Sequence, residues 1–194
     1  MGVDRDPYAL PPDLPVPVDN WACDHLRGTL MPSVVLRSTR GRLVNVGEIA
    51  KHPTVFFFYP ETGKPGDPIP EAWNRIPGAR GCTPQNCGFR DRYQEFGALG
   101  FEVFGVSGQG RSEEQGLAEQ LEFAERAELP FELLNDSRLE LTRALRLPTF
   151  QFEGRAFIER LALVADGRRI DRVFYPVFPP DKNAEMVLEY LGGR

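Results

Sequence analysis

Thr54-Val55-Phe56-Phe57-Phe58-Tyr59 is the stretch on which the fold turns. An unbroken β-branched and aromatic run suits a strand covered on both faces, as in the middle of a sheet sandwiched by helices. Upstream, Val34-Val35-Leu36 and Arg42 to Val46 flank the polar step Ser38-Thr39-Arg40-Gly41 and read as a short hairpin. Residues 1–33 carry Pro11, Pro12, Pro15, Pro17 and Pro32 with neither helical nor strand periodicity. They describe an extended arm that wraps the domain or a partner. Downstream, Gly63, Pro65, Gly66, Pro68, Pro70, Pro77 and Gly78 make residues 61–81 a long loop that delivers the chain to Cys82.

Beyond Cys82, Thr83 as cap and Pro84 in the first turn predict a helix start. Phe89, Tyr93 and Phe96 continue at helical spacing until Gly97 and Gly100. Phe101 to Val106 predicts a second strand, and Ser112 with Gln115 a capping box opening a helix to about Glu128. Phe131 to Leu134 predicts a short strand. Ser137 with Glu140 predicts another capping box before a helix that Pro148 ends. Leu161 to Val164 and Ile170 to Tyr175 pair around Asp166-Gly167 as a hairpin, and Asp181 is expected to cap a last helix through Leu191. This order is that of an α/β three-layer sandwich with a mixed central sheet, an N-terminal hairpin and a proline-rich arm. The expected division is an arm over 1–33 and one domain over 34–194.

Composition limits the partners. The 194 residues are 41% hydrophobic and 26% charged, ordinary for a globular domain, and the formal net charge of −5 offers no broad basic surface. Nucleic acid and anionic membrane are therefore excluded as partners. No apolar run approaches the roughly 20 residues of a membrane span. The start, with Asp4, Arg5 and Asp6, lacks the apolar core of a secretory signal, so the expected location is cytoplasmic. Three cysteines are too few and too odd for a disulfide scaffold, which makes any pair catalytic, redox-sensing or metal-binding.

Cys82 sits where the long loop meets a helix start, where free amides and the helix dipole stabilise a thiolate. Arg80 and Arg90 are placed to add positive potential. The plain alternative is a small apolar filler. Cys87, five residues on, is placed to capture a sulfenic acid formed on Cys82. In an intact helix that interval rises about 7.5 Å and turns about 140°, beyond disulfide reach, so the helix start must unwind to close the bond. Gly88 and Pro84 weaken that turn, and oxidation should raise amide exchange across residues 82–90. The spacing excludes a Cys-x-x-Cys exchanger. A zinc site from Cys82, Cys87, Cys23 and His25 is the metal alternative, although Cys23-Asp24-His25 is too tight for the usual paired ligands.

Gly81-Cys82-Thr83-Pro84-Gln85-Asn86-Cys87-Gly88-Phe89-Arg90-Asp91 closely resembles the active-site segment of peroxiredoxins, in the bacterioferritin comigratory protein or peroxiredoxin Q group. The likeness continues through Phe56-Phe57-Phe58-Tyr59-Pro60 and through Leu129 to Asp136, and covers roughly residues 30–192. The resemblance implies a thioredoxin-like fold and reduction of hydroperoxides without metal or organic cofactor. It makes Cys82 the peroxidatic residue, Cys87 the resolving residue, and thioredoxin or a similar dithiol the reductant, in a monomer or homodimer. It also implies that Arg160, at the start of a late strand, steadies the thiolate and the peroxide oxygens, and that Arg160→Met would cost rate far more than stability. The alternative is a peroxide-sensing switch of the same fold with little turnover.

Two positions depart from the family pattern. Where it has a Thr or Ser three residues before the nucleophile, this chain has Ala79, and about fifteen extra residues separate Pro60 from Cys82. Thr62 and Thr83 are both candidates to supply the missing hydroxyl. The stretch from Gly105 to Gly110 lacks the Lys and Ser/Thr of a phosphate loop and reads as a strand-to-helix turn. His25 and His52 have no serine or acid at triad spacing.

Overall fold

In a computed structural model that describes residues 6–193, nine strands and seven α-helices follow one another in the order anticipated, with additions. The first five residues of the expected arm lie outside the described residues. The N-terminal hairpin is β1 (Val35–Ser38) against β2 (Leu43–Asn45), followed by the one-turn α1 (Val46–Ile49). The aromatic run forms β3 (Thr54–Phe58), every residue of it buried. After α2 (Glu71–Asn74), α3 (Cys82–Asp91) and α4 (Tyr93–Ala98) come β4 (Glu102–Ser107), α5 (Glu113–Arg126), β5 (Glu132–Asn135) and α6 (Glu140–Leu145). The chain closes with β6 (Thr149–Phe152), β7 (Arg155–Ile158), β8 (Leu161–Asp166), β9 (Arg169–Phe174) and α7 (Asn183–Gly192).

The main sheet has seven strands in the order β2-β1-β5-β4-β3-β8-β9. β3 runs parallel to β4 and antiparallel to β8, which makes the sheet mixed. The two-residue period of a strand divides the aromatic run between two cores. Phe56 and Phe58 face one side with Phe104, Val106, Leu163, Leu141 and Leu145; Val55, Phe57 and Tyr59 face the other with Phe89, Phe96, Phe123, Val187 and Leu191. Helices α3, α5 and α7 therefore cover one face. The opposite face is covered by α6 and by arm residues Cys23, Leu26 and Met31, each at most 4% exposed. The arm also bends through a 3-10 turn at Asp24–Leu26 and bridges to β9 at Leu30 and Arg169.

Several local expectations are corrected. Thr83 does not cap α3: the helix starts at Cys82 on Gly81, whose φ of 99° suits glycine. The aromatic series Phe89, Tyr93, Phe96 spans two helices, broken at Arg92, because α4 must turn to carry Phe96 into the stack with Phe89. Residues 61–81 are not wholly loop, since Pro70 opens α2. Ser137 does not cap α6. The Asp136 carboxylate does so instead, accepting from the amides of Leu141 at 3.1 Å and Thr142 at 2.9 Å and from the Thr142 hydroxyl at 2.7 Å. Asp181 lies inside a 3-10 turn (Pro180–Lys182) ahead of α7 and caps nothing there. The hairpin β6–β7 was not anticipated; it turns on Glu153 and Gly154, with φ of 47° and 73°.

Candidate active site

Cys82 is the first residue of α3, 3% exposed, directly beyond the carboxyl end of β3 where the sheet hands the chain to the long loop. Gly81 has no side chain to cap the helix, and no acidic residue stands in the first turn. The positive end of the helix therefore meets no competing anion from its own first turn. The Cys82 thiol donates to the Ala79 carbonyl at 3.6 Å.

Arg160, 3% exposed, comes in from the start of β8 and places Nη2 3.4 Å from Cys82 Sγ. The same nitrogen donates to the carbonyls of Arg80 at 2.9 Å and Gly78 at 3.1 Å, with Ala79 at 3.4 Å. Two hydrogens thus serve three carbonyls and the sulfur. Arg160 Nη1 donates to Gln85 Oε1, and Gln85 Nε2 donates on to Asn183 Oδ1 at 2.9 Å and to the Phe58 carbonyl at 3.3 Å. This chain of contacts fixes the guanidinium plane from β3, α3 and α7 at once. Gln85 and Asn183 escaped sequence reading. Their cue was polarity on otherwise buried helix faces, which only the packing of α3 on α7 reveals.

The other predicted cations lie elsewhere. Arg80 is buried but turns to the arm, where Nη2 donates to the carbonyls of Asp6 and Ala9. Arg90 donates to the Ala127 carbonyl at 2.9 Å and pairs with Asp91. It is Cys87 that feels Arg90: burial pushes the Cys87 thiol above its usual range, and Arg90 opposes the shift. Cys87 is half-buried on the same helix, five positions from Cys82, and all three cysteines are free thiols.

Cys23 takes no part in this arrangement. It packs in the core on the opposite face of the sheet from Cys82, and burial, then Glu159, Asp19 and Asp24, push its thiol up to about 12. His25 Nε2 is 2.9 Å from the Leu145 carbonyl on that same far side. The four zinc-ligand candidates are therefore not brought together, and among the described residues no group of three or more His, Cys, Asp or Glu gathers as a ligand set.

A cavity of about 360 Å³ opens above Cys82. Its floor is Ala79, Gly81, Cys82 and Thr83, and its walls come from the inserted loop, from Pro7 of the arm and from the β6–β7 hairpin. The inserted loop is held by Trp73, whose ring centroid lies 5.0, 5.2 and 5.6 Å from those of Phe157, Phe152 and Phe150. Two carboxylates that line the cavity behave differently: burial raises Glu61 above the usual carboxylate range against the pull of Arg155, 3.1 Å away, whereas the hydrogen bond from Arg126 holds Glu122 of α5 below it. Of the two hydroxyl candidates, Thr62 Oγ1 lies 3.2 Å from Gln109 Oε1, while Thr83 Oγ1 is buried with no partner among the described residues.

A family model described as AhpC/TSA matches residues 74–168, the segment that holds Cys82, Cys87 and Arg160. Chloroplastic peroxiredoxin Q of Gentiana triflora is 28% identical over 165 residues, covering 85% of this chain and 66% of that protein, and the Arabidopsis thaliana protein of the same name is 28% identical over 166 residues with the same coverage. The likeness is to the peroxiredoxins. Within that family it is to the bacterioferritin comigratory protein and peroxiredoxin Q group. The chain aligns with about two thirds of the length of the curated peroxiredoxins it matches first. Among solved structures, peroxidoxin BcpB of Mycobacterium tuberculosis superposes with a TM-score of 0.67 at 23% identity, over 86% of this chain and 96% of that one. Peroxiredoxin Q of Xanthomonas campestris gives 0.64 at 20% identity, over 94% and 98%. The thioredoxin-like peroxiredoxin fold follows from these likenesses. Among the described residues, no helix is long and apolar enough to cross a membrane.

Proposed function

We propose that this protein reduces hydroperoxides with Cys82 as nucleophile and Cys87 as resolving thiol. The observation that carries the reading is the contact of Arg160 Nη2 with Cys82 Sγ at 3.4 Å, on the floor of a cavity and at the uncapped start of a helix. A guanidinium and the open first turn of a helix beside one sulfur leave positive potential where a peroxide oxygen would gain charge. The Cys82 thiolate attacks the terminal peroxide oxygen; an S–O bond forms, the O–O bond breaks, and the leaving oxygen takes a proton from solvent as an alcohol or water. Sulfur is oxidised to sulfenic acid. Cys87 as thiolate then attacks that sulfur, forming an S–S bond and releasing the hydroxyl as water.

Both cysteines lie on one continuous helix, so closing the bond requires α3 to unwind. Gly88 packs so closely on the 3-10 turn before α7 that an added Cβ would sit 2.9 Å from the Asp181 carbonyl, and that contact has to release as well. An external dithiol of the thioredoxin type completes the cycle by exchange with the Cys82–Cys87 bond, in a reducing compartment such as the cytoplasm. The contact between Arg160 and the sulfur favours turnover over a slow sensor.

Mass spectrometry after brief peroxide exposure tests the assignment. Wild type should form the Cys82–Cys87 disulfide, Cys87→Ser should carry sulfenic or sulfinic acid on Cys82, and Cys82→Ser should stay unoxidised. Normal oxidation of Cys82→Ser would overturn the reading.

A further inference from the structure

We propose that the Thr83 hydroxyl orients the hydroperoxide over Cys82, replacing the hydroxyl that position 79 lacks. The inference rests on the peroxidase reading above and adds a catalytic residue to it. Ala79 is fully buried and carries only a methyl group. Thr62, the other hydroxyl near the loop, is committed to Gln109 through both its amide, 3.3 Å from Oε1, and its Oγ1, at 3.2 Å. Thr83 is 1% exposed, lines the cavity beside Cys82, and its Oγ1 has no hydrogen-bond partner among the described residues.

That orphan has a local cause. A helical threonine usually turns its hydroxyl back onto the carbonyl three or four residues earlier. For Thr83 these are the carbonyls of Arg80 and Ala79. Arg160 Nη2 holds the first at 2.9 Å and lies 3.4 Å from the second, which also accepts the Cys82 thiol at 3.6 Å. Arg80 and Ala79 both precede α3, which begins at Cys82, so the first turn offers Thr83 no helical carbonyl to bond back to. A buried hydroxyl left unpaired costs stability, and the cost is recovered only when a ligand supplies the partner. As the thiolate forms the S–O bond and the O–O bond breaks, negative charge grows on the departing oxygen. Thr83 O–H donates to it, and a solvent proton completes the alcohol. Because Thr83 shares the first turn of α3 with Cys82, the donor leaves the cavity floor when that turn unwinds for resolution.

The test compares wild type, Thr83→Val and Thr83→Ser by the second-order rate of Cys82 oxidation with hydrogen peroxide, by the rate at which dithiothreitol reduces the preformed disulfide, and by Tm. Thr83→Val keeps the shape and removes the hydroxyl, so oxidation should slow about 100-fold. Reduction of the disulfide should not change, and Tm should match or exceed wild type because a methyl group replaces an unpaired hydroxyl. Thr83→Ser should restore oxidation to within about threefold of wild type. Oxidation of Thr83→Val at the wild-type rate, with wild type reactive, would overturn this inference alone. A fall in Tm that accompanies slower oxidation in both variants would also overturn it, by making the hydroxyl structural. A wild-type protein whose Cys82 ignores peroxide would overturn the peroxidase reading first.

Discussion

At the start of α5, Ser112 Oγ accepts from the Gln115 amide at 3.2 Å, Gln115 reaches back to the Arg111 amide at 3.2 Å, and Glu113 and Glu114 fill the first turn. At the start of α3 there is a glycine, no side-chain cap, no acid, and then Cys82. Both helices leave the sheet from the ends of neighbouring parallel strands, β4 and β3. One has its amides and dipole satisfied by its own side chains. The other keeps them free and receives Arg160 as well, so its positive end is reserved for a sulfur anion and its substrate. Stability and reactivity are thus two uses of the same physical feature, separated by which residues stand at the first four positions.

The sharpest way to break the contrast is Arg160→Lys, which keeps the charge and loses the fork. A lysine ammonium cannot serve the sulfur, Gln85 and three carbonyls together, so oxidation of Cys82 should slow about 100-fold or more in stopped-flow assays. Methionine at this position would be a poorer probe than its sequence suggests. It would leave the buried acceptors held by Arg160 unpaired and so reduce stability along with rate. Gly81→Ala should come next. A Cβ there would overlap Pro180 Cγ and meet Leu10 Cδ2 at 2.9 Å at a φ of 99°, and denaturant unfolding should show a loss of about 2–3 kcal/mol.

A third experiment separates the two thiols of α3. Burial raises the Cys87 pKa, so at neutral pH its thiolate fraction is small and grows as pH rises. Disulfide closure after oxidation should therefore accelerate by up to about tenfold per pH unit between pH 6 and 8, whereas a closure rate flat with pH would show that thiolate formation on Cys87 is not limiting. The smallest effect belongs to α5. Ser112→Ala should cost about 1 kcal/mol in unfolding and leave Cys82 oxidation unchanged, because the cap it removes serves only its own helix.

What could be read before any coordinates was whatever local chemistry decides. The all-apolar run of β3 required cover on both faces, Ser112 stood at the right interval from Gln115, and Asp166-Gly167 marked the last hairpin to within one residue: Asp166 ends β8 and pairs with Arg169, and the turn falls on Gly167 and Arg168, at φ of 55° and 64°. Pro84 in the first turn placed Cys82 at a helix start, although the cap expected of Thr83 is absent and Gly81 takes that position. Features settled by tertiary partners were less legible. Ser137 looked a better cap for α6 than Asp136, yet the chain turns through Leu139 at φ 53° and brings the aspartate over the amides. Arg80 was the nearest cation to Cys82 in sequence, but the arm's carbonyls draw it away, and Arg160 arrives from 78 residues on. The β6–β7 hairpin did show a cue, the alternation Thr149-Phe150-Gln151-Phe152 followed by Glu153-Gly154. Its sheet of two strands finds its core only when Trp73 of the inserted loop lies against it.

The arm carries a practical corollary. Pro7 lines the cavity, Ala9 holds Arg80 by its carbonyl, Leu10 lies against the site of Gly81, and Tyr8 accepts from Arg126 at 2.7 Å. Clipping near Leu14 would strip one side from the chamber while leaving every cysteine in the chain.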